Sequence, residues 1–590
     1  MYRMPRPRPA PLARILAAGV AVLALGACAT PNALAQAAAA AAADLVMTNA
    51  RIYTVDPDQP WAEAIAVKDG LIVAVGSQAA LAPYQTGAQV IDAQGRLVLP
   101  AFADAHVHPV FGGMAFSRCS LHKGRSIEEY QRIIAGCVAA HPGDGVVYGV
   151  GWEDSLFPPS GIPTKDLLDQ VSSDRPLIFE SVGGHTFWVN SKALDVAGIT
   201  ADTPNPPNGE INREPTTGEP VGALQESAMA LVAGQVPPPT REEIEASIIY
   251  VVELFNSLGI TGLHDAGIDL APDGTSQMMA AYKALKDQGA LTLDVTLALK
   301  WDNDRGLEQI PALIAAADRA EAWGLKARTV KFYLDGVIPQ QTAAMIEPYE
   351  GSEGSGTLQI EPERLTAAVT QLGAAGFQPY VHAIGDRGVR VALDAFEAAI
   401  AANGALDRPM ITHMNVIHPQ DQPRFGELGV IAQFQPTWSS NYPYMDLTKA
   451  AIGPERSTYI YPTGSILRGG GMVAFGADWP VATADPLSGI QVAVTRVNYE
   501  DRVTPPLLAE EAITLEQAIA AHTLNVAVAN GVGDVTGSIT VGKSADLIVL
   551  DQNIFELPPM DIDQTDVLVT LFRGRAVHGA LDALKAPVRP

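Results

Sequence analysis

Cysteine is nearly absent from this 590-residue chain, which has only Cys28, Cys119 and Cys137. That scarcity excludes a disulfide scaffold and a cysteine-ligated zinc site. Basic residues are short as well: 39 lysines and arginines stand against 65 acids, a formal net charge of −26. Such a chain has no basic footprint for a phosphate backbone, so nucleic acid is excluded as a partner. Charged residues make up 18% and apolar residues 47%, which excludes a disordered chain and supplies a sizeable core. Long apolar runs are missing too, since Ile15–Gly26 is too short to span a bilayer as a mature helix. Forty-four prolines and 53 glycines, spread throughout, exclude a coiled coil or helical bundle. The length predicts two or three units, or one large barrel with insertions.

The apolar run follows Arg3, Arg6, Arg8 and Arg14. A charged segment followed by a short apolar one reads as a signal peptide over residues 1–27 and predicts export. Leu25-Gly26-Ala27-Cys28 matches a bacterial lipoprotein box, with Cys28 as the lipidated first mature residue. Ala33-Leu34-Ala35 is a competing site for ordinary signal peptidase. The expectation is a lipoprotein on the periplasmic face of a bacterial membrane, touching the membrane only through that anchor. A soluble periplasmic enzyme is the alternative. Residues 28–43 read as an alanine-rich tether. Export would leave Cys119 and Cys137 free to pair if their Cα atoms approach within about 4.4–6.8 Å.

From Asp44 the pattern turns to short strands at Leu45–Ile52, Ala64–Lys68, Leu71–Gly76 and Val90–Asp92, with a hairpin signal at Asp69-Gly70. The same style returns at 545–550 and 567–572. Residues 44–97 and 535–590 are therefore expected to form one composite β-sandwich. Residues 98–534 read as strands alternating with helices, the strands ending at His106, Asp265, Leu299, Asp335, His382, His413, Phe434 and Asp478. Helices are expected at Glu242–Leu258, Pro311–Trp323, Pro362–Ala375, Gly388–Ala402 and Leu515–Ala529. Eight such units predict an α/β fold, a (β/α)8 TIM-type barrel with its chemistry at the C-terminal strand ends. Residues 109–241, far longer than a strand–helix loop, read as a large insertion over the barrel mouth.

His106 and His108 close the first barrel strand and, two residues apart, face the same side, where they can share a metal ion. His382, His413 and Asp478 each finish an apolar run in the same way. Lys331 lies within the apolar strand Thr329-Val330-Lys331-Phe332. A buried lysine needs a partner or neutralisation. It is either a structural partner of Asp335 or an amine carbamylated by carbon dioxide to bridge two metals.

This ordered set, with Pro100-x-Phe102-x-Asp104-x-His106-x-His108, Asp335-Gly336, His382-Ala383-Ile384-Gly385-Asp386 and Gly476-Ala477-Asp478-Trp479-Pro480, resembles the amidohydrolase superfamily, and within it amidohydrolase family 3. The resemblance spans about residues 44–578. It implies two divalent metal ions: His106, His108 and Asp478 on one, His382 and His413 on the other, and carbamylated Lys331 bridging them. Zinc suits this ligand set best, with manganese, iron or nickel as alternatives. Asp478 would also be the catalytic proton carrier.

Candidate substrate-binding residues are His185 on the insertion, Asp386 beyond the fifth strand (also readable as a helix cap) and Trp479, which with Trp438 can wall a pocket. Trp152 and Glu153 read better as packing or surface residues. His264 and Asp265 end the second strand without an assigned role, and His122, His141, His418, His522 and His578 lack supporting context. The expected function is metal-dependent hydrolysis of a C–N amide-type bond other than a peptide bond in a small-molecule substrate. A lactonase or ester hydrolase on the same site is the alternative. A mononuclear deaminase fits less well because that branch lacks the bridging lysine, and a non-catalytic binding lipoprotein does not explain six intact ligands.

Overall fold

The computed structural model describes residues 43–585. The signal peptide, Cys28 and the tether before Ala43 lie outside these residues. At the centre is an eight-stranded parallel sheet: β1 (Phe102–Val107), β2 (Ile260–Ile268), β3 (Asp294–Lys300), β4 (Lys326–Tyr333), β5 (Gln378–Ala383), β6 (Met410–His413), β7 (Ile431–Phe434) and β8 (Met472–Phe475), neighbours in that order. Past the end of β8 the chain closes on β1: Asp478 N donates to His106 O at 2.7 Å and His108 N to Trp479 O at 3.0 Å. The sheet is a TIM-type barrel.

Strands buried on both faces explain the near-continuous apolar runs of the sequence. Inside the barrel, Ala105, Ala266, Ala298 and Ala474 pack with Tyr380, Met410 and Ile431, and the alanines leave room for larger polar groups. Outside, helices cover the strands. In Arg241–Ser257, Ile244, Ile248, Val251, Val252 and Phe255 form the buried stripe, and Thr240 with Glu243 forms a capping box. Each such side chain contributes roughly 1.5–3 kcal/mol by leaving water.

Both chain ends meet beside the barrel. One sheet runs Arg575–His578, Val567–Phe572, Leu547–Leu550, Leu97–Pro100, Arg51–Tyr53, Trp61–Ala62, and pairs Leu547 with Pro100. A second runs Leu71–Gly76, Ala64–Lys68, Leu45–Thr48, Gln89–Asp92. Met47, Ile65, Val67, Val98, Leu547, Val549 and Val569 share one core between them.

Residues 119–226 form a further six-stranded sheet in the order Gly209–Arg213, Pro220–Glu226, Thr186–Val189, Leu177–Ser181, Val147–Trp152, Cys119–Ser120. A Cys119–Cys137 disulfide, Cα–Cα 5.8 Å, joins its edge to the helix Ile127–Ala140.

Three elements differ from expectation. The strand expected over 45–52 splits at Asn49, which adopts φ 49° and donates to Asp92 Oδ1 at 2.8 Å, sending its two halves into different sheets. The helix expected over 515–529 breaks at His522, whose carbonyl accepts Ala103 N at 2.7 Å in place of a helical partner. The fourth strand stops at Tyr333, short of Asp335, because the Asp335 carboxylate accepts the backbone N–H groups of Ala344, Ile384 and Gly385, each at 2.9 Å.

The Asp69-Gly70 hairpin forms as expected and docks on the opposite chain end. Gly70 has φ 79°, and a Cβ there would lie 2.9 Å from the Arg573 carbonyl oxygen. Gly70→Ala is expected to cost on the order of 1–3 kcal/mol from backbone strain and collision. Calorimetry should therefore show a lowered thermal midpoint, and an unchanged midpoint would refute this account of the turn.

Candidate active site

The site begins at the seam of the barrel. Buried Asp104 accepts His106 N at 2.8 Å on Oδ1 and Ala477 N at 2.9 Å on Oδ2, so one carboxylate fixes both sides of the closure. Burial pushes its carboxyl up to about 7, against the pull of those N–H groups. Gly476 admits no side chain, since a Cβ would lie 2.6 Å from His106 N. The chain then turns at Asp478, φ 55°, which aims its carboxylate inward.

There Asp478 Oδ1 lies 3.3 Å from His106 Nε2 and 3.2 Å from His108 Nε2, and the two nitrogens are 3.3 Å apart. Asp478 Oδ1 is buried without a hydrogen-bond partner. The opposite face of His106 is occupied: Nδ1 contacts Thr412 Oγ1 at 3.0 Å and, more closely, Tyr380 OH. Burial, then the neighbouring Lys331 ammonium, hold the His106 ring well below its usual range and hence neutral. Two imidazole nitrogens and an orphaned carboxylate oxygen converging at such distances fit a divalent cation.

Lys331, fully buried on β4, places Nζ 3.4 Å from His106 Nε2 and 4.3 Å from the centre of the Tyr380 ring. Burial lowers its amine to about 7, with Asp478 acting in the opposite direction. The reading of Lys331 as the ion-pair partner of Asp335 is corrected: Asp335 is committed to its three backbone donors.

His382 and His413 complete a ring of imidazoles, with centroids 4.6 Å apart and His413 4.7 Å from His106. His413 Nδ1 faces Gln435 Oε1 at 3.1 Å and Asp478 Oδ2 at 3.7 Å. His382 Nε2 faces Asp335 Oδ1 at 3.6 Å. Burial depresses both rings, keeping them in the ligand form. All six expected ligands therefore gather at one end of the barrel, with His106, His108 and Asp478 as the tightest group.

His185 reaches this end of the barrel from the turn between the strands Leu177–Ser181 and Thr186–Val189. Its ring lies 5.4 Å from that of His382, and Nδ1 is 3.1 Å from both oxygens of Glu226. Burial opposes its charge, but Glu226, aided by Asp335 and Asp478, raises its pKa overall.

Two other candidates are engaged by the fold. Asp386 is the first residue of the helix Asp386–Asn403; Gly385 holds the cap position, and the Asp386 carboxylate accepts Ile346 N at 2.8 Å, pinning the loop after β4. Trp479, 5% exposed, stacks on Phe116 at 5.4 Å and packs over Gly112, tying the helix Pro109–Ser117 to the barrel. Trp438, in contrast, stacks on His413 at 5.7 Å.

The sequence reading missed Glu226, Tyr380, Gln435 and Glu180. Glu180, raised to about 7 by burial, accepts the Tyr148 hydroxyl and lies within electrostatic reach of Lys300, His185 and His108. Glu226 and Glu180 carry the mark that singled out the histidines, a polar residue finishing an apolar strand.

Gly476→Ala is expected to push His106 off its position without unfolding the barrel. Metal affinity should fall about tenfold or more, with the circular dichroism spectrum retained. Metal content equal to wild type would overturn this view of the seam.

The amidohydrolase family profile matches residues 89–578. Protein LONG AFTER FAR-RED 3 of Arabidopsis thaliana is 28% identical, over 91% of this chain and 92% of its own. The N-substituted formamide deformylase of Arthrobacter pascens is 26% identical, over 90% and 97%. Among solved structures, an uncharacterized metal-dependent hydrolase from Pyrococcus horikoshii OT3 superposes with a TM-score of 0.66 at 21% identity, covering 90% of this chain and all of that one. The chain belongs to amidohydrolase family 3.

Proposed function

We propose that the protein hydrolyses a C–N amide-type bond other than a peptide bond in a small-molecule substrate. The observation that carries this reading is Asp478 Oδ1, without a hydrogen-bond partner among the described residues, facing the Nε2 atoms of His106 and His108 at 3.2–3.3 Å. The deformylase relative supports the C–N bond as the target. His106, His108 and Asp478 would hold one divalent ion, zinc best matching the donors, and His382 and His413 a second. Such ions supply an activated water and polarise the substrate carbonyl.

The residues of the chain do the rest. Asp478 accepts the proton of the attacking water and returns it to the leaving nitrogen. Glu226 accepts from Nδ1 of His185 and favours the protonated ring, whose Nε2–H is then a donor for a substrate oxygen. The Lys331 amine, held near 7 by burial, would add to carbon dioxide and lose a proton, and the carbamate so formed would supply an anionic oxygen ligand for the ions. In this reading the two sheets at the chain ends form one composite sandwich, and residues 109–241 cap the mouth. We further propose export with a lipid anchor at Cys28; radiolabelled palmitate incorporation that disappears in Cys28→Ser tests it, and a mature N-terminus at Gln36 would refute it.

Asp478→Asn is expected to lower kcat by about 10²–10⁴ on a panel of amides, formamides and N-acyl amino acids, with KM changed less and metal retained. Turnover within a few-fold of wild type would place the proton carrier elsewhere. Lys331→Ala is expected to lose metal and activity together, and short-chain carboxylic acids to restore part of both. Full metal content in that variant would exclude the bridging carbamate. Faster turnover of matched lactones than of amides would move the assignment to ester chemistry.

A further inference from the structure

Beyond Glu226, on the side away from His185, the insertion and the barrel enclose a polar cleft of about 640 Å³, within the range of small-molecule sites. One wall is formed by the strands Gly209–Arg213 and Pro220–Glu226, the other by residues 339–342 and 357–359 of the loop that follows β4. Glu210 and Glu226 contribute carboxylates. Among the described residues, no lysine, arginine or histidine lines it. The cations nearby are already committed. His185 pairs with Glu226, and Arg213, on the strand that carries Glu210, donates to the carbonyls of Thr200, Ala201 and Gly218.

The amides of the lining supply an independent observation. Gln225, 2% exposed, has no hydrogen-bond partner for Oε1. Asn212 donates through Nδ2 to Glu210 at 3.3 Å, which leaves its Oδ1 buried and unpaired. Gln340 Oε1 is unpaired as well. Three acceptors without donors beside the Glu210 carboxylate, in a lining that holds no cation, form an arrangement that a cationic N–H donor completes, while Glu226 is already matched by His185 and the Thr342 hydroxyl. A carboxylate ligand would be repelled, and an apolar one would leave the oxygens unpaired.

We propose that this cleft is a binding site for an organic ammonium ion, with Gln225, Asn212 and Gln340 accepting its N–H groups and Glu210 supplying the counter-charge. The lining includes none of the six expected metal ligands, and the ammonium site does not depend on the reaction proposed above.

Titration calorimetry on the purified, metal-loaded protein tests it with three four-carbon probes: 1,4-diaminobutane, 1,4-butanediol and succinate. Salt at 0.15 M screens exposed charges beyond about 8 Å. The diamine is expected to bind saturably at one site, at least about tenfold more tightly than the diol or succinate. Gln225→Leu and Asn212→Ala, which leave the net charge unchanged, are each expected to weaken diamine binding by about tenfold. Should Gln225→Leu fail to fold, the partly exposed Asn212 decides the question alone. Absence of saturable diamine binding, equal binding of the diol, or wild-type affinity in the folded variants would overturn the proposal.

Discussion

The protein depends on how its barrel closes. Between β1 and the segment after β8, two backbone hydrogen bonds and the Asp104 carboxylate make one seam. That seam places His106 and His108 opposite Asp478, residues from the two ends of the barrel. Asp104 is buried, and so are both groups it holds, so no water competes for those bonds. A looser closure would separate the three donor atoms by more than a single ion can bridge.

The polar interior is a second consequence. Four imidazoles, a lysine and two carboxylates occupy volume that a TIM-type barrel elsewhere fills with branched aliphatic layers. Room for them comes from the alanines of β1, β2, β3 and β8, and order comes from the polar groups beneath: Tyr380 and Thr412 under His106, Gln435 under His413, and Asp335 between His382 and three backbone donors. Buried groups so arranged are held in geometries they would not choose in water, with the aliphatic packing outside the strands offsetting that cost.

Much of this was legible in the sequence because the barrel leaves a simple trace. A buried parallel strand reads as an apolar run, and a functional residue reads as the polar letter that ends it, which is how His106, His382, His413 and Asp478 stand out. The trace failed where local hydrogen bonding overrode periodicity, as at Asn49, which splits a strand, and at His522, whose carbonyl leaves its helix to meet β1. It also failed for long-range partnerships. Glu226 meets His185 only because the strands Pro220–Glu226 and Thr186–Val189 pair side by side within the six-stranded sheet. Nothing local announces that Trp479 packs on Gly112 and Phe116, which lie more than 360 residues away in sequence.

The sheet that joins both chain ends also sets the order of assembly. Leu97–Pro100 takes one neighbour from Arg51–Tyr53 and the other from Leu547–Leu550, so one edge of that early strand stays open until nearly the whole chain has emerged. Contacts this distant in sequence form slowly. The N-terminal strands must stay unpaired on that side while the barrel is made, which favours a chain that folds after its synthesis is complete. Loss of even the last few strands would expose the Leu97–Pro100 edge to pairing with other chains, turning a truncation far from the metal ligands into a defect of aggregation and not of chemistry.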